Sequence, residues 1–246
     1  MSPRPRDESL ASLPEPGRQA VLAAASPRTW AAGELLTRDG DRAASLMVLT
    51  AGRVLVRLGT GDGNQVALAV LGTGDVLGEV GVLSRGRERT ADAVALTETT
   101  ALVLTWTDFD RVRRQTPQVD DFVMELMARR IDRLSHRLAE ARHVPVGTRV
   151  ARRLHEVARP DAGDGTMHVP LNQEDLAGLA GTTRQTANTV LRRLENEGVV
   201  RLGRGRVEIL DPRGLRERCA DPTDGPARRP RGPGHESPGR TVGGSG

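Results

Sequence analysis

The amino-acid sequence predicts an α+β protein with a β-barrel or roll, then a long helix, then a second domain of helices and a hairpin. Three observations support this prediction. Short apolar segments alternate with glycine turns from Trp30 to Trp106, a heptad repeat runs from Met124 to Ala141, and helix-turn-helix spacing extends from Leu171 to Val200. The length of 246 residues is enough for two small domains, each with its own core.

Composition narrows the class of protein. The hydrophobic fraction of 37% and the charged fraction of 28% are typical of a globular protein, and no apolar run reaches the roughly 20 residues of a membrane span. Residues 1–8 are polar and lack the apolar core of a secretory signal. We therefore expect a cytoplasmic protein without a membrane partner. The net charge of +4 permits nucleic-acid binding without requiring it.

Several kinds of chemistry are missing from the sequence. Cys219 is the only cysteine, which excludes an internal disulfide and a cysteine-ligated iron-sulfur cluster. All 36 basic residues are arginine, so there is no lysine for a Walker motif or a Schiff base. The five histidines lack metal-ligand spacing, and no catalytic serine or zinc motif is present. The sequence therefore predicts no enzyme, no metal site and no tightly bound cofactor.

The first predicted domain covers residues 18–107. Residues 1–17 are rich in proline, serine and charge and are expected to be disordered, and a short helix is predicted at 18–26. Many short strands separated by frequent turns indicate a barrel or roll. The apolar segments that we assign to strands are 46–49, 54–56, 66–71 and 101–104, and the turn glycines are Gly52, Gly59, Gly61, Gly63, Gly72 and Gly74.

A glycine-rich stretch, Gly78-Glu79-Val80-Gly81, is followed after a polar gap by Arg89 and Thr90. Arg89 can present a planar fork of donors to a phosphate, and Thr90 adds a hydroxyl. The amides of a helical turn that opens at Gly78 and includes Val80 point at the same anion. Glu79 can accept a hydrogen bond from a sugar hydroxyl. Ordinary turn glycines and exposed charges produce similar short patterns, so the stretch is weak evidence by itself.

The spacing of these residues resembles the phosphate-binding cassette of the Crp/Fnr superfamily, in its cyclic-AMP receptor branch. The resemblance implies that Glu79 binds the ribose of a cyclic nucleotide and that Arg89 and Thr90 bind the cyclic phosphate. It also implies that residues 18–107 form the double-stranded β-helix, or β-roll, of that superfamily. Cyclic AMP is the first expected effector, and the alternatives are cyclic GMP, another nucleotide and no small ligand.

A long dimerisation helix is predicted over residues 108–143. Its apolar positions recur in alternating steps of three and four, as in two parallel paired helices, although one helix packed on its own roll is the alternative. We expect a homodimer with contacts from Met124, Met127, Ile131, Leu134, Leu138 and Ala141. In the superfamily a threonine and the next serine, from opposite subunits, bind the adenine. Leu134 and Ser135 stand there in this chain, so Ser135 is the expected base contact and selection of adenine is weakened.

The second predicted domain covers residues 144–212 and contains a helix-turn-helix. Asn172 is the expected N-cap of its first helix, Gly181 ends that helix, and Thr182 forms a capping box with Gln185 for the second. Gln185 has two competing roles, this cap and a contact to a base, which we weigh equally. The second helix turns its polar side toward base edges. The expected DNA contacts on it are Thr183, Arg184, Gln185, Asn188, Thr189 and Arg192.

A hairpin follows, with Arg204 and Arg206 at its tip near the phosphate backbone. The run from Leu171 to Val200 resembles the winged helix-turn-helix of the same superfamily. The resemblance implies a transcription regulator that binds a palindromic operator in double-stranded DNA and contacts RNA polymerase. Alternatives are a dimer gated by another ligand or competent without one, and a signalling module that docks on protein. Residues 213–246 are predicted to be a disordered basic tail.

Overall fold

The computed structural model describes residues 13–60, 65–84, 88–160 and 167–220 of the chain. The predicted turn glycines Gly61 and Gly63 and most of the two predicted disordered ends lie outside the described residues. Among the helices of the described ranges, none combines the length and the apolar character that a membrane span needs.

The first helix, α1 (Glu15–Ala24), begins at Glu15 rather than at the predicted Arg18. Pro14 is its N-cap and a second proline lies in its first turn, where a fixed φ suits the helix and the missing N–H costs nothing. Leu13 is buried in one cluster with Phe109 and Val112. Part of the segment expected to be disordered is therefore ordered by packing on the first domain.

Eight strands in the described part of the chain build the predicted roll. They form two four-stranded antiparallel sheets, in the orders β1-β8-β3-β6 and β2-β7-β4-β5. The apolar sides of the two sheets share a core that includes Trp30, Leu49 and Val54, which confirms the predicted sheet domain. The strands are β1 (Ser26–Trp30), β2 (Leu35–Thr37), β3 (Ser45–Ala51), β4 (Val54–Gly59), β5 (Gln65–Leu71), β6 (Val76–Leu77), β7 (Asp92–Ala95) and β8 (Thr99–Thr105).

The short helix α2 (Glu79–Leu83) lies between β6 and β7, and two further helices follow the roll. The segment predicted as one helix at 108–143 is divided into α3 (Trp106–Gln115) and α4 (Gln118–His143), because Pro117 interrupts it. The first turns of α4 pack on the roll through Val119, Phe122, Val123 and Leu126. Beyond Met127 the helix leaves that core.

The second domain contains α5 (Val146–Val157), α6 (Gln173–Leu179) and α7 (Arg184–Asn196). A small sheet completes it, in the order β11-β12-β10-β9. Its strands are β9 (Arg159–Pro160), β10 (Met167–Val169), β11 (Val200–Gly203) and β12 (Arg206–Ile209). Leu154, Leu176 and Leu191 are fully buried between the helices and this sheet. The predicted combination of roll, long helix and winged helix-turn-helix is therefore confirmed.

A last helix, α8 (Pro212–Glu217), corrects the prediction that the chain is disordered from residue 213. The Asp211 side chain accepts a hydrogen bond from the Gly214 N–H at 2.9 Å, and proline suits the first helical position. Leu215 is buried in the core of the second domain, and Cys219 packs against the same core. The Cys219 carbonyl accepts from Arg152 Nε of α5 at 2.9 Å. An N-cap and one leucine thus extend the domain beyond its predicted end.

Candidate functional site

Two glycines of the glycine-rich stretch are required by close packing. Gly78 is the N-cap of α2 with a φ of +93°, and a Cβ there would overlap the Arg89 guanidinium and lie 2.9 Å from the Ser45 carbonyl oxygen. A Cβ on Gly81 would lie 2.6 Å from the Ala43 Cβ and 2.7 Å from a backbone oxygen. The glycines therefore let α2 and the Arg89 side chain approach each other and the neighbouring strand.

Glu79 and Arg89 are buried on either side of this turn, with 1% and 7% of their surfaces exposed. Glu79 Oε1 accepts from Arg130 Nη1 of α4, and Arg89 Nη2 donates to Ser45 Oγ at 3.1 Å. Glu79 Oε2 and Arg89 Nη1 have no hydrogen-bond partner among the described residues. Buried polar atoms are almost always paired, so an unused acceptor and an unused donor at this turn favour a polar ligand.

The pKa values of the same two groups are displaced in opposite directions. Burial raises the pKa of Glu79 above its ordinary value, although Arg130 and Arg89 oppose that change. Burial lowers the pKa of Arg89, against the attraction of Glu79 and Asp41. In both cases desolvation disfavours the charged form more than the neighbours favour it. A ligand with a hydroxyl donor and an anionic group would supply the missing partners of both charges.

A cavity of about 170 Å³ opens beside Glu79, between the roll and α4. Val76 and Leu71 of the roll line it, and Leu134 and Arg130 line it from α4. Thr90 and Ser135 are exposed and are not among the described residues that line the cavity, and Val80 is half-buried in α2. The structure thus brings Glu79 and Leu134 to one cavity, whereas Arg89, Thr90 and Ser135 are not among the described residues that line it. No cluster of His, Cys, Asp and Glu that could hold a metal is found in the described ranges.

Arg130 is the residue of this region that the sequence reasoning missed. It pairs with Glu79 although the two are 51 residues apart in the chain. A sequence signal did exist, because Arg130 precedes Leu134 by four residues and therefore lies on the same face of the helix. The predicted heptad repeat includes only the apolar positions of that face.

The second candidate region is the polar face of α7. Thr183, not Thr182, is the N-cap of this helix, and its Oγ1 accepts from the Thr186 N–H at 3.2 Å. The predicted capping box of Thr182 with Gln185 is therefore wrong, because Gly181 and Thr182 belong to the turn before the helix. Gln185 lies in the first turn with an exposed side chain that the cap does not use.

The predicted reading residues share this exposed face of α7. Arg184, Gln185, Thr189 and Arg192 are exposed, and Asn188 is half-buried. The Asn188 Oδ1 atom is buried and has no hydrogen-bond partner in the part of the chain that the structure describes. Thr189 Oγ1 donates to the Gln185 carbonyl at 3.1 Å, and Arg192 Nη1 donates to Glu195 Oε2 at 2.9 Å. Donors and acceptors are therefore displayed side by side over about two helical turns.

The hairpin of β11 and β12 stands next to α7. Gly203 pairs with Arg206, so Arg204 and Gly205 form a two-residue turn, and Gly205 has a φ of +72°. Arg204 and Arg206 are both exposed. Glu195 of α7 accepts from the Leu202 N–H at 2.9 Å, which fixes the hairpin relative to the helix and lowers the pKa of Glu195. This positioning contact was not predicted, because Glu195 reads as an ordinary surface acid.

The regions around both sites match known protein families. Residues 27–116 match the model of the cyclic nucleotide-binding domain, and residues 148–218 match that of the Crp-like helix-turn-helix domain. The first match contains Glu79 and Arg89, and the second contains α6, α7 and the hairpin. The two matches therefore cover both candidate regions in the predicted order.

Known proteins of similar sequence cover most of the chain. The cyclic AMP receptor protein of Thermus thermophilus is 36% identical over 194 residues, which are 77% of this chain and 86% of that protein. A CRP-like cAMP-activated global transcriptional regulator of Mycobacterium tuberculosis is 28% identical over 76% of this chain and 85% of its own length.

Solved structures agree on the fold. A transcriptional regulator of the CRP/FNR family from Thermus thermophilus has a TM-score of 0.65 at 21% identity, and the match covers 79% of this chain and 98% of that one. At 21% identity, this structural similarity supports the fold alone. The 36% identity over most of both chains and the two domain matches together show the family of the protein. The chain belongs to the Crp/Fnr family of transcription regulators.

Proposed function

We propose that this regulator is a homodimer that binds a palindromic operator in double-stranded DNA under the control of a cyclic nucleotide. Cyclic AMP is the first candidate, because two of its relatives are named for that effector. Arg89 and Thr90 bind the cyclic phosphate, Glu79 binds the ribose, and Gly78 and Val80 shape the turn. The observation that supports this most is the pair of unused buried atoms, Glu79 Oε2 and Arg89 Nη1. The regulator works in the cytoplasm and contacts RNA polymerase at its promoters.

The exposed stripe of α4 supports the dimer. Met124, Ile131, Leu134 and Leu138 are 53% to 65% exposed in the single chain, and Ala141 continues their line. Met127 is partly buried against the roll instead, so it contributes less to the stripe than predicted. A line of large apolar side chains at heptad spacing is stabilised by a second copy of the same helix. In the superfamily the serine at the position of Ser135 acts from the opposite subunit, so in our proposal Ser135 of one protomer contacts the base bound by its partner.

The two exposed arginine-bearing surfaces support operator binding. In our proposal Arg184, Gln185, Asn188, Thr189 and Arg192 of α7 meet base edges in the major groove, with Thr183 at the start of the helix. Arg204 and Arg206 of the hairpin meet the phosphate backbone, which adds affinity without sequence information. A signalling module that docks on protein has no use for this set of base-reading side chains.

One observation favours a second candidate for the effector. Leu134, an apolar side chain, lines the cavity at the position where the superfamily has a threonine for the base. In this second candidate the regulator takes a different ligand or binds its operator without one. Both variants keep the DNA-binding function and differ only in the signal.

Calorimetry with the purified protein tests nucleotide control. Cyclic AMP and cyclic GMP are titrated in parallel, and saturable binding of cyclic AMP at the lower concentration is the expected result. Arg89→Ala removes the phosphate partner and is expected to abolish binding while circular dichroism stays unchanged. Arg111→Ala, which removes an exposed arginine paired with Asp108 on α3, is the matched control. Full affinity in Arg89→Ala would exclude the assigned site.

A further inference from the structure

The hydroxyl group of Thr189 is already used inside the reading helix α7. Its Oγ1 atom donates to the Gln185 carbonyl one turn earlier, at 3.1 Å. A threonine in a helix has two favoured χ1 rotamers, and this hydrogen bond selects the one that turns the oxygen toward the backbone. The γ-methyl group is therefore the part of the exposed Thr189 side chain that is left for contact with a partner.

The neighbouring arginines leave this methyl group accessible. Arg192 Nη1 donates to Glu195 Oε2 at 2.9 Å, and Arg193 Nε donates to Glu197 Oε1 at 2.9 Å. Both ion pairs draw the guanidinium groups toward the C-terminal end of α7. An open groove of about 550 Å³ lies beside Thr189. The helix thus presents an accessible apolar group within its polar face.

The major groove of DNA contains an apolar group that fits this methyl group. It is the C5-methyl of thymine, and the other three bases have no methyl group at their major-groove edges. Apolar contact with a threonine methyl group is one way in which proteins select thymine. Thr189 lies four residues beyond Gln185, which is about 6 Å along the helix axis. At about 3.4 Å per base pair, the thymine should lie about two base pairs from the base that Gln185 contacts.

The hydroxyl oxygen offers a second way to contact a base, because it keeps a lone pair that can accept from the amino group of adenine or cytosine. That oxygen faces the Gln185 carbonyl, so a base amino group would have to reach past the methyl group. The methyl group has no such obstacle. The geometry therefore favours contact through the methyl group.

We propose that Thr189 is a specificity-determining residue, and that it selects a thymine in each half-site of the operator through contact between two methyl groups. Its role differs from that of Arg184 and Gln185, whose side chains end in hydrogen-bonding groups. The inference rests on the operator binding proposed above and adds the base that one side chain selects. Removal of the methyl group from either the protein or the DNA removes the contact.

The test combines a thymine analogue with variants of Thr189 in the full chain. An operator duplex is selected from random DNA, and each thymine of a half-site is replaced in turn by deoxyuridine, which lacks only the C5-methyl group. Fluorescence anisotropy measures the affinity. In the wild type, one replacement in each half-site is expected to weaken binding about fourfold, the size expected for the burial of one methyl group. Replacements outside the half-sites are the control and should have no effect.

Two variants separate the methyl group from the hydroxyl. Thr189→Val keeps a methyl group, lacks the hydroxyl, and is expected to retain the preference for thymine over deoxyuridine of about fourfold. Thr189→Ser keeps the hydroxyl and its hydrogen bond to the backbone, and is expected to bind both duplexes equally. Thr107→Ser, at an exposed threonine of α3, is the matched control and should behave as the wild type. Circular dichroism checks that each variant is folded.

When a specific operator is found, three results would overturn the proposal. The first is equal binding of thymine and deoxyuridine at every position by the wild type, which would leave operator binding intact. The second is a preference for thymine that persists in Thr189→Ser, because the methyl contact would then belong to another residue. The third is loss of the preference in Thr189→Val alone, which would assign the contact to the hydroxyl. If selection enriches no duplex over random DNA, operator binding itself fails, and the inference fails with it.

Discussion

Glu79 is a buried carboxylate whose two oxygens differ in their hydrogen bonding. Arg130 takes one oxygen and the other has no partner within the described ranges. The charged form of the group is therefore less favourable in the folded chain than in water, and its pKa is raised. A hydroxyl that donates to the free oxygen stabilises the charged form, so ligand binding and the ionisation of Glu79 favour each other.

This coupling predicts a pH dependence of nucleotide binding. Above the raised pKa the carboxylate is charged and affinity is full; as the pH falls through that pKa, protonation removes the acceptor and affinity drops, by up to about tenfold per pH unit. Calorimetry with cyclic AMP over a pH series, with circular dichroism at each pH, measures this. Glu79→Gln cannot ionise and should bind more weakly with a flat profile. A wild-type profile as flat as that of the variant would contradict the assignment of Glu79.

The exposed position of Arg184 on α7 leads to a separate prediction about DNA recognition. It is exposed in the first turn of α7, where its fork of donors matches the two major-groove acceptors of guanine. Arg184→Ala is expected to cost about 1 to 3 kcal/mol at the selected operator and to relax the choice of one base. Fluorescence anisotropy with operator and random duplexes measures both. Arg213→Ala on α8 is the control, and an equal loss on random DNA would reduce Arg184 to a phosphate contact.

At the scale of elements, the sequence was sufficient to predict those helices, strands and turns that depend mainly on their own residues. The strand at Val54, the N-cap at Asn172 and the hairpin at Gly205 were predicted and are present. The start of α7 was displaced by one residue, because two consecutive threonines can each cap a helix and only the turn geometry decides between them.

Contacts between distant elements were not predictable in the same way. Arg57 and Asp175 are 118 residues apart and belong to different domains, and each alone reads as a surface charge. The pair formed by Arg130 and Glu79 has the same character. Sequence spacing reports neighbours along one helix or strand, whereas these pairs depend on how the roll and the helices pack. The sequence therefore identified Glu79 as a candidate and predicted the exposed polar face of α7, but not the contacts that position them.

The stripe on α4 predicts the oligomeric state. In a parallel pair each Leu138 packs against the partner helix, so Leu138→Asp places two carboxylates in an apolar contact. Loss of two leucine contacts costs about 3 to 6 kcal/mol, which is enough to shift the protein toward monomer at micromolar concentration. Analytical ultracentrifugation measures the change. Ala139→Asp, one residue further along and off the stripe, should remain dimeric, and a dimeric Leu138→Asp would place the subunit interface elsewhere.

At the scale of the whole molecule, the dimer sets the geometry of the operator. Two α7 helices related by a two-fold axis reach successive major grooves on one side of the duplex, so half-sites should lie about 10 base pairs apart from centre to centre. Inserting five base pairs between the half-sites turns one of them to the opposite side of the DNA. Binding of the dimer to this duplex should fall to the level of random DNA in an anisotropy titration. An insertion of a full turn is the control, and equal binding to all spacings would contradict a rigid dimer.

The position of Cys219 has a practical consequence. Burial raises the pKa of its thiol, and its Sγ donates to the Leu215 carbonyl at 3.4 Å, so little reactive thiolate is present while α8 lies on α5. A thiol reagent is therefore expected to modify the native chain more slowly than the unfolded chain. Because this is the only cysteine in the sequence, the rate of modification reports on the local stability of a single site in the domain of the DNA-reading helices.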